Sequence, residues 1–276
     1  MYILYMIFWG HNGFALLNNK EFYITEKFDW VTCKDILIKK TDNPKYVYLK
    51  LDFLNEHIDE IMAIENQFIL VSGSGDASPQ ICNKNNYNKL INKKNLIHWY
   101  AENVAYYHPK MTPLTVGLAN HSESYEKLIL NIRKKGKVRK NIIFCCFRKT
   151  LYNVNGYEYV QRDKCINFII NNKVDFYDDL DIETFLKTLN KYKFAFLPVG
   201  NGFDYAPKIW ECLLLGVIPI CLKIHNSYEL YKKYPIIWIE SFNEIIDVNK
   251  NYFENYDWNK PYNDLLVENQ LNNIFD

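Results

Sequence analysis

Lys208 and Glu211 stand three residues apart at the start of a helix-like segment, KIWECLLL. Residues at that spacing share one face of a helix. An ammonium there can meet a phosphate, and a carboxylate there can accept from sugar hydroxyls. Pro207 opens the segment, and Gly216 suits the C′ position that ends it. Apolar runs precede and follow it, at 194–198 and 217–222. A strand, loop, helix, strand unit places its loop and helix N-terminus at the carboxyl edge of a parallel sheet. Free N–H groups and the helix dipole favour anions there. The chemistry suits a nucleotide sugar. The same residues also fit a plain βαβ unit, with Trp210, Leu213 and Leu214 as core and Lys208 and Glu211 as an exposed pair.

The elements that must position such a site follow an α/β rhythm. Strand patterns fall at 1–9, 46–51, 67–72, 96–100 and 111–117, and again at 141–147, 194–198, 217–222 and 235–240. Helical spacing marks 52–65, a part of 122–140, 157–171, 180–192 and 207–215. In 157–171, Val160, Ile166 and Ile169 or Ile170 make the expected buried side. The Asn- and Lys-rich stretch 83–94 reads as surface. The basic run Arg133, Lys134, Lys135, Lys137, Arg139 and Lys140 reads as a helix end and linker; a nucleic-acid patch is the rival reading. Two α/β halves, each with a glycine-bearing turn after an apolar strand, imply two Rossmann-like domains facing a cleft. The expected boundaries are 1–125 and 140–250, with a tail at 251–276.

Composition excludes several classes. The 276 residues carry 33 basic and 32 acidic side chains, a net charge of +1. That balance gives no overall footprint for nucleic acid, so no nucleic-acid partner is expected. The seven cysteines form no CxxC pair, which argues against a zinc or redox motif. Most lie in apolar runs as small core residues, which suits a reducing compartment. The opening MYILYMIFW is too short to span a bilayer and reads as a buried strand. No transmembrane segment is expected. A cytoplasmic location follows, or one reached through a partner at a membrane.

The segment NGFDYAPKIWECLLLGVIPI resembles the signature of the exostosin-like glycosyltransferases of the GT-B fold. Asn201, Gly202, Asp204, Trp210, Glu211, Leu213, Leu215, Gly216, Ile218, Pro219 and Ile220 carry the likeness. Pro207 and Lys208 stand where that family has His-Arg. Lys keeps the charge and lacks the bidentate fork. FILVSGSGDASPQ, LIHWYAENVAYYHPKMTPLTVGL and NIIFCCFRKT with Gln161-Arg162 extend the likeness over about residues 65 to 245. A part of the motif, Asp204, Tyr205, Lys208, Leu213, Gly216 and Pro219, is also similar to α1,3-fucosyltransferases.

The resemblance implies an α/β chain of GT-B fold that moves a sugar from a nucleotide-diphosphate donor, a UDP-sugar such as UDP-xylose, to a glycan, glycoprotein or other hydroxyl acceptor with inversion. Lys208 would approach the diphosphate and Glu211 the ribose. Asn201, Gly202, Asp204, Glu240 and Ser241 complete the donor side. Arg162 and Arg148 are further phosphate contacts, or else surface arginines. Asp76, on a glycine-bearing loop after a strand, is the expected base, or else an Asp that caps its own turn. His98, Asn103 and His108 are acceptor-side candidates, or packed residues. Asp179-Leu180-Asp181 mimics a metal-binding DxD but precedes a helix, which reads as an N-cap. No metal or other cofactor is expected. The alternatives are an enzyme that uses GDP-fucose, and a transferase-like binding module without activity.

Overall fold

The computed structural model describes residues 28–33, 36–73, 77–82, 84–118, 123–134, 139–147, 162–200, 202–205 and 207–266, with 269, 272, 274 and 275. The expected strand at 1–9 and Val160 lie outside the described residues. Two sheets organise the chain.

The first sheet holds β1 (Trp30–Cys33), β2 (Ile36–Lys40), β3 (Tyr46–Lys50), β4 (Phe68–Gly73), β5 (Leu96–Ala101) and β6 (Met111–Pro113) in the order β2-β1-β3-β4-β5-β6. β2 runs antiparallel at one edge, and the other neighbours pair in parallel. Helices α1 (Leu54–Met62), α2 (Pro79–Cys82), α3 (Lys84–Ile91) and α4 (Glu123–Lys134) belong to this half of the sequence. The central strands are apolar on both sides because both faces are covered. Val47, Leu49, Leu70 and Trp99 pack with Leu54, Ile58 and Ile61 of α1 and with Leu90 and Ile91 of α3. The stretch 83–94, read from its polarity as surface, thus carries a helix whose last residues are core.

Tyr48 and Val71 alternate onto the opposite face. There they join the core of the second sheet together with Tyr125, Ile129 and Ile132 of α4. The two sheets therefore share a hydrophobic core through α4.

The second sheet is parallel throughout: β7 (Lys140–Cys146), β8 (Asp175–Tyr177), β9 (Tyr192–Leu197), β10 (Ile218–Leu222) and β11 (Ile237–Ile239), ordered β11-β10-β9-β7-β8. Its helices are α5 (Cys165–Asn171), α6 (Ile182–Leu189), α7 (Lys208–Leu215) and α8 (His225–Tyr231), and α9 (Lys260–Asp264) follows β11. The buried side of α5 agrees with the expected one at Ile169, which packs partly buried against the core, and differs from it at Ile166. Ile166 and Ile170 are exposed, while Cys165 and Phe168 are buried. Phe168 stacks on Phe196 with ring centroids 4.2 Å apart, and that contact sets the phase of the helix. Near the end of the chain, Phe275 packs edge-on against Tyr46 and Phe28 of the first half. Both sheets are α/β units with their connecting loops at the carboxyl edges, an arrangement compatible with two Rossmann-like halves. No helix among the described residues is long and apolar enough to cross a membrane.

Candidate functional site

Helix α7 lies between β9 and β10. Its length is limited by local chemistry. Gly216 ends it with φ 70°, ψ 31°, the left-handed conformation that glycine adopts freely. Gly216 N donates to Leu213 O at 3.1 Å and Val217 N to Cys212 O at 2.8 Å, the paired bonds of a Schellman ending. The Arg139 guanidinium donates to the carbonyls of Leu215 and Gly216 and to Asn190 Oδ1. A cation thus sits at the negative end of the helix dipole. At the other end, Pro207 offers no side-chain cap.

Lys208 opens the helix at the carboxyl edge of the second sheet. Its ammonium donates to the Cys146 carbonyl at the end of β7 and lies 5.3 Å from the Phe185 ring centroid. Among the described residues it makes no ion pair with a carboxylate. Arg162 approaches the same edge from the turn before α5. It donates to Val199 O at 3.5 Å, just past β9, and its guanidinium lies 5.3 Å from the Phe147 ring centroid. Two cations therefore hang on strand-end carbonyls at the place where anions bind in parallel sheets.

Glu211 is not the exposed partner that a plain amphipathic helix would give. It is 3% exposed, and its Oε1 accepts from the Tyr125 hydroxyl of α4. Burial raises its pKa; the Tyr125 hydrogen bond and the Lys208 charge pull the other way. The Tyr125 pKa also rises, through burial and then the Glu211 charge, so this phenol keeps its proton and donates it. The helix that carries Glu211 and the helix that carries Tyr125 are thereby joined between the two sheets.

The loop before α7 has a different environment. Asp204 is 4% exposed. Its Oδ2 accepts from Val116 N at 2.9 Å, from Tyr231 OH at 2.9 Å and from Thr115 Oγ1 at 3.5 Å. Thr115 Oγ1 also lies 2.6 Å from Tyr231 OH and accepts from Trp210 Nε1 at 2.6 Å. Asn103 Oδ1 accepts from Phe203 N at 2.8 Å. A Cβ on Gly202 would stand 2.4 Å from that oxygen, so glycine is needed for the approach. Ser227 Oγ donates to Phe203 O. Residues 202–204 thus form a hydrogen-bonded seam onto the 103 and 115–116 segments of the first half.

Glu240 and Ser241 lie past β11. Glu240 pairs with Lys223 at 3.0 Å, and both are solvent-facing. The Glu240 and Ser241 amides donate to Glu244 Oε1, so this turn is capped by its own carboxylate. In the first sheet, His98 Nε2 lies 2.8 Å from Thr112 Oγ1 on the neighbouring strand, and burial lowers its pKa. His108 Nδ1 accepts from Lys110 N at 3.1 Å within a tight turn. Asp181 caps α6 by accepting from Thr184 N at 2.9 Å. The described cysteines of the second half, Cys145, Cys146, Cys165, Cys212 and Cys221, are buried and form no disulfide with one another, and burial raises the Cys145, Cys146, Cys212 and Cys221 pKa values. Thiols held protonated are poor nucleophiles.

Asp76, Arg148 and Asn201 lie outside the described residues. The structure brings Lys208 and Arg162 to one edge, sets Glu211 behind them, and draws Gly202, Asp204 and Asn103 into the seam. His98 bonds to the neighbouring strand and Glu240 pairs with Lys223, while His108 and Ser241 sit in contacts of their own turns. The sequence reading missed Tyr125, Thr115 and Tyr231, whose hydroxyls face partners far away in the chain. It also missed Glu102, a carboxylate 1% exposed just past β5. Gly73 at the end of β4 leaves room for it, since a Cβ there would stand 2.8 Å from the Glu102 carboxyl group. No family model matches the chain, and no curated protein matches it.

Proposed function

We propose that the chain is a GT-B glycosyltransferase that binds a nucleotide-diphosphate sugar against its second sheet and transfers the sugar, with inversion, to a hydroxyl held by the first half. One observation carries the reading. Lys208, at the uncapped start of α7, places an ammonium at the carboxyl edge of a parallel sheet with a carbonyl rather than a carboxylate as its partner. A diphosphate would give that ammonium the ion pair that the carbonyl does not. Arg162 gives a second contact from the other side of the edge, and the two cations hold the departing nucleotide diphosphate.

Glu211 serves the ribose through the carboxylate that Tyr125 orients. Gly202 and Asp204 hold the loop before α7 through the seam, and Asn201, next to them in the sequence, is a further proposed donor contact. Glu240 and Ser241, past β11, and Arg148, which follows β7 in the sequence, are further proposed donor contacts. Asp76, in the segment after β4, takes the acceptor proton as the acceptor oxygen bonds to the anomeric carbon. The bond from that carbon to the phosphate oxygen breaks, and the nucleotide diphosphate leaves with the electron pair. His98, Asn103 and His108 stand on the acceptor half. A UDP-sugar such as UDP-xylose is the proposed donor and a glycan or glycoprotein the proposed acceptor; a cytoplasmic location is proposed with them.

Incubation with a panel of UDP- and GDP-sugars tests this by slow donor hydrolysis. Release of nucleotide diphosphate from one donor, lost in Asp76→Asn while nucleotide still binds, is the expected outcome. Hydrolysis of no donor, with no thermal stabilisation by any nucleotide, would contradict the proposal. Stabilisation without turnover would point instead to a binding module that has kept the donor site.

A further inference from the structure

We infer that Gly200 is a donor-contact residue: the diphosphate of the nucleotide sugar lies against its backbone, in the space that a side chain would fill. The inference rests on the glycosyltransferase reading above. Glycine is required where the backbone needs a positive φ, where another part of the protein comes too close for a Cβ, or where a ligand does. The other described glycines fall under the first two reasons. Gly117 and Gly216 have φ of 75° and 70°. A Cβ on Gly73 would stand 2.8 Å from the Glu102 carboxyl group, and one on Gly202 would stand 2.4 Å from Asn103 Oδ1. Gly200 falls under neither. Its φ lies outside the left-handed region, and no described atom stands within 4 Å of where its Cβ would be.

Position points to the diphosphate. Val199 is 1% exposed and anchored in the core, and its carbonyl accepts from Arg162 Nη2 at 3.5 Å. Across a trans peptide, a carbonyl oxygen and the next Cα are about 2.8 Å apart. Gly200 Cα therefore lies within about 6.5 Å of that guanidinium nitrogen. Lys208 is held at the end of the neighbouring strand. Phe144 pairs with Ala195, so the carbonyl-bearing Cys146 is level with Leu197, three residues before Gly200. On the far side of Gly200, the amide of Phe203 is bound by Asn103. The backbone is thus fixed both before and after the glycine. Its ordering is met in folding, so a ligand that lies on it does not bear that cost. Gly200 N donates to no described residue, and a phosphate oxygen is a strong acceptor for such an amide.

Titration calorimetry of wild type, Gly200→Ala and Gly200→Val with UDP, GDP and inorganic pyrophosphate tests the contact, beside the unfolding midpoint of each protein without ligand. The valine variant should bind the nucleotide diphosphate about tenfold more weakly or worse, and the alanine variant should lose less. Neither midpoint should fall, because the added side chain begins in open space. Wild-type affinity in the valine variant would overturn the inference and leave the transferase reading standing. A lowered midpoint in the alanine variant would do the same, since the space would then belong to the protein. Should the valine variant fold poorly, unaltered affinity in the alanine variant overturns the inference. Wild type that binds neither nucleotide nor pyrophosphate sinks both. Pyrophosphate binding that Gly200→Val abolishes, with neither nucleotide bound more tightly than pyrophosphate, keeps the contact and sinks the transferase reading.

Discussion

Residues 202–204 and residues 208–211 belong to one short motif, yet the structure uses them in opposite ways. Asp204 is saturated: its carboxylate accepts from a backbone amide and two hydroxyls of other segments. Lys208 is held by a single carbonyl and an aromatic face. A buried carboxylate with three donors fixes geometry. A cation that makes no ion pair among the described residues, at a sheet edge, is available for an anion. Residues at equal spacing in one motif thus divide into a seam and a candidate site, and the division is set by partners that lie far away in the chain.

The seam should give the largest stability effect. Asp204→Ala takes the acceptor from Val116 N and one partner from each of the Tyr231 and Thr115 hydroxyls, which keep their 2.6 Å contact with each other, and should cost roughly 3–5 kcal/mol in urea unfolding. Asp204→Asn keeps an accepting oxygen and should cost less. A loss below about 1 kcal/mol for the alanine variant would break the contrast. Tyr125→Phe comes next. It strips the donor from a buried carboxylate, and about 1.5–3 kcal/mol should be lost in the same assay. Gly216→Ala places a Cβ on a residue at φ 70°, at about 1–2 kcal/mol; an unchanged midpoint would show that α7 ends without help from the left-handed turn.

Glu211→Gln sharpens the contrast through pH. A carboxyl whose pKa is raised by folding binds its proton more tightly in the folded than in the unfolded chain. Stability is then greatest below the ordinary carboxylate pKa. It falls as pH rises from there to the raised folded value, and then levels. The glutamine variant has no such fall, so its stability should gain on wild type across that window. Parallel pH profiles would show instead that Glu211 carries its charge without penalty. Lys208→Met should change stability least, by about 1 kcal/mol, because one hydrogen bond to a carbonyl is lost.

Much of the scaffold was legible where its signals are local. The apolar runs at β9 and β10 and the Pro207 to Gly216 bracket of α7 depend on neighbours a few residues apart. So does the Asp181 cap, closed by Thr184 three residues on. The phase of α5 was read correctly at Ile169 and misread at Ile166, which matches helical spacing as well as the core residues do; Phe196, in another strand, decides it. β1, β2, β8 and α8 were not anticipated. β8 is three residues of intermediate burial, too short to show a period. The site was legible only in part, since Lys208 and Glu211 stand out by type and spacing but their surroundings do not. Tyr125 is 86 positions from Glu211, and Thr115 is 116 from Tyr231. Both pairs exist only after the two sheets have come together around α4.

Thermal unfolding with and without UDP and GDP, on wild type and Lys208→Met, tests the central claim most directly. The account predicts that at least one nucleotide diphosphate raises the wild-type midpoint, and that the shift disappears in Lys208→Met while the midpoint without nucleotide stays close to wild type. An equal nucleotide shift in both proteins, or none in wild type, would contradict the assignment of the α7 edge as the donor diphosphate site.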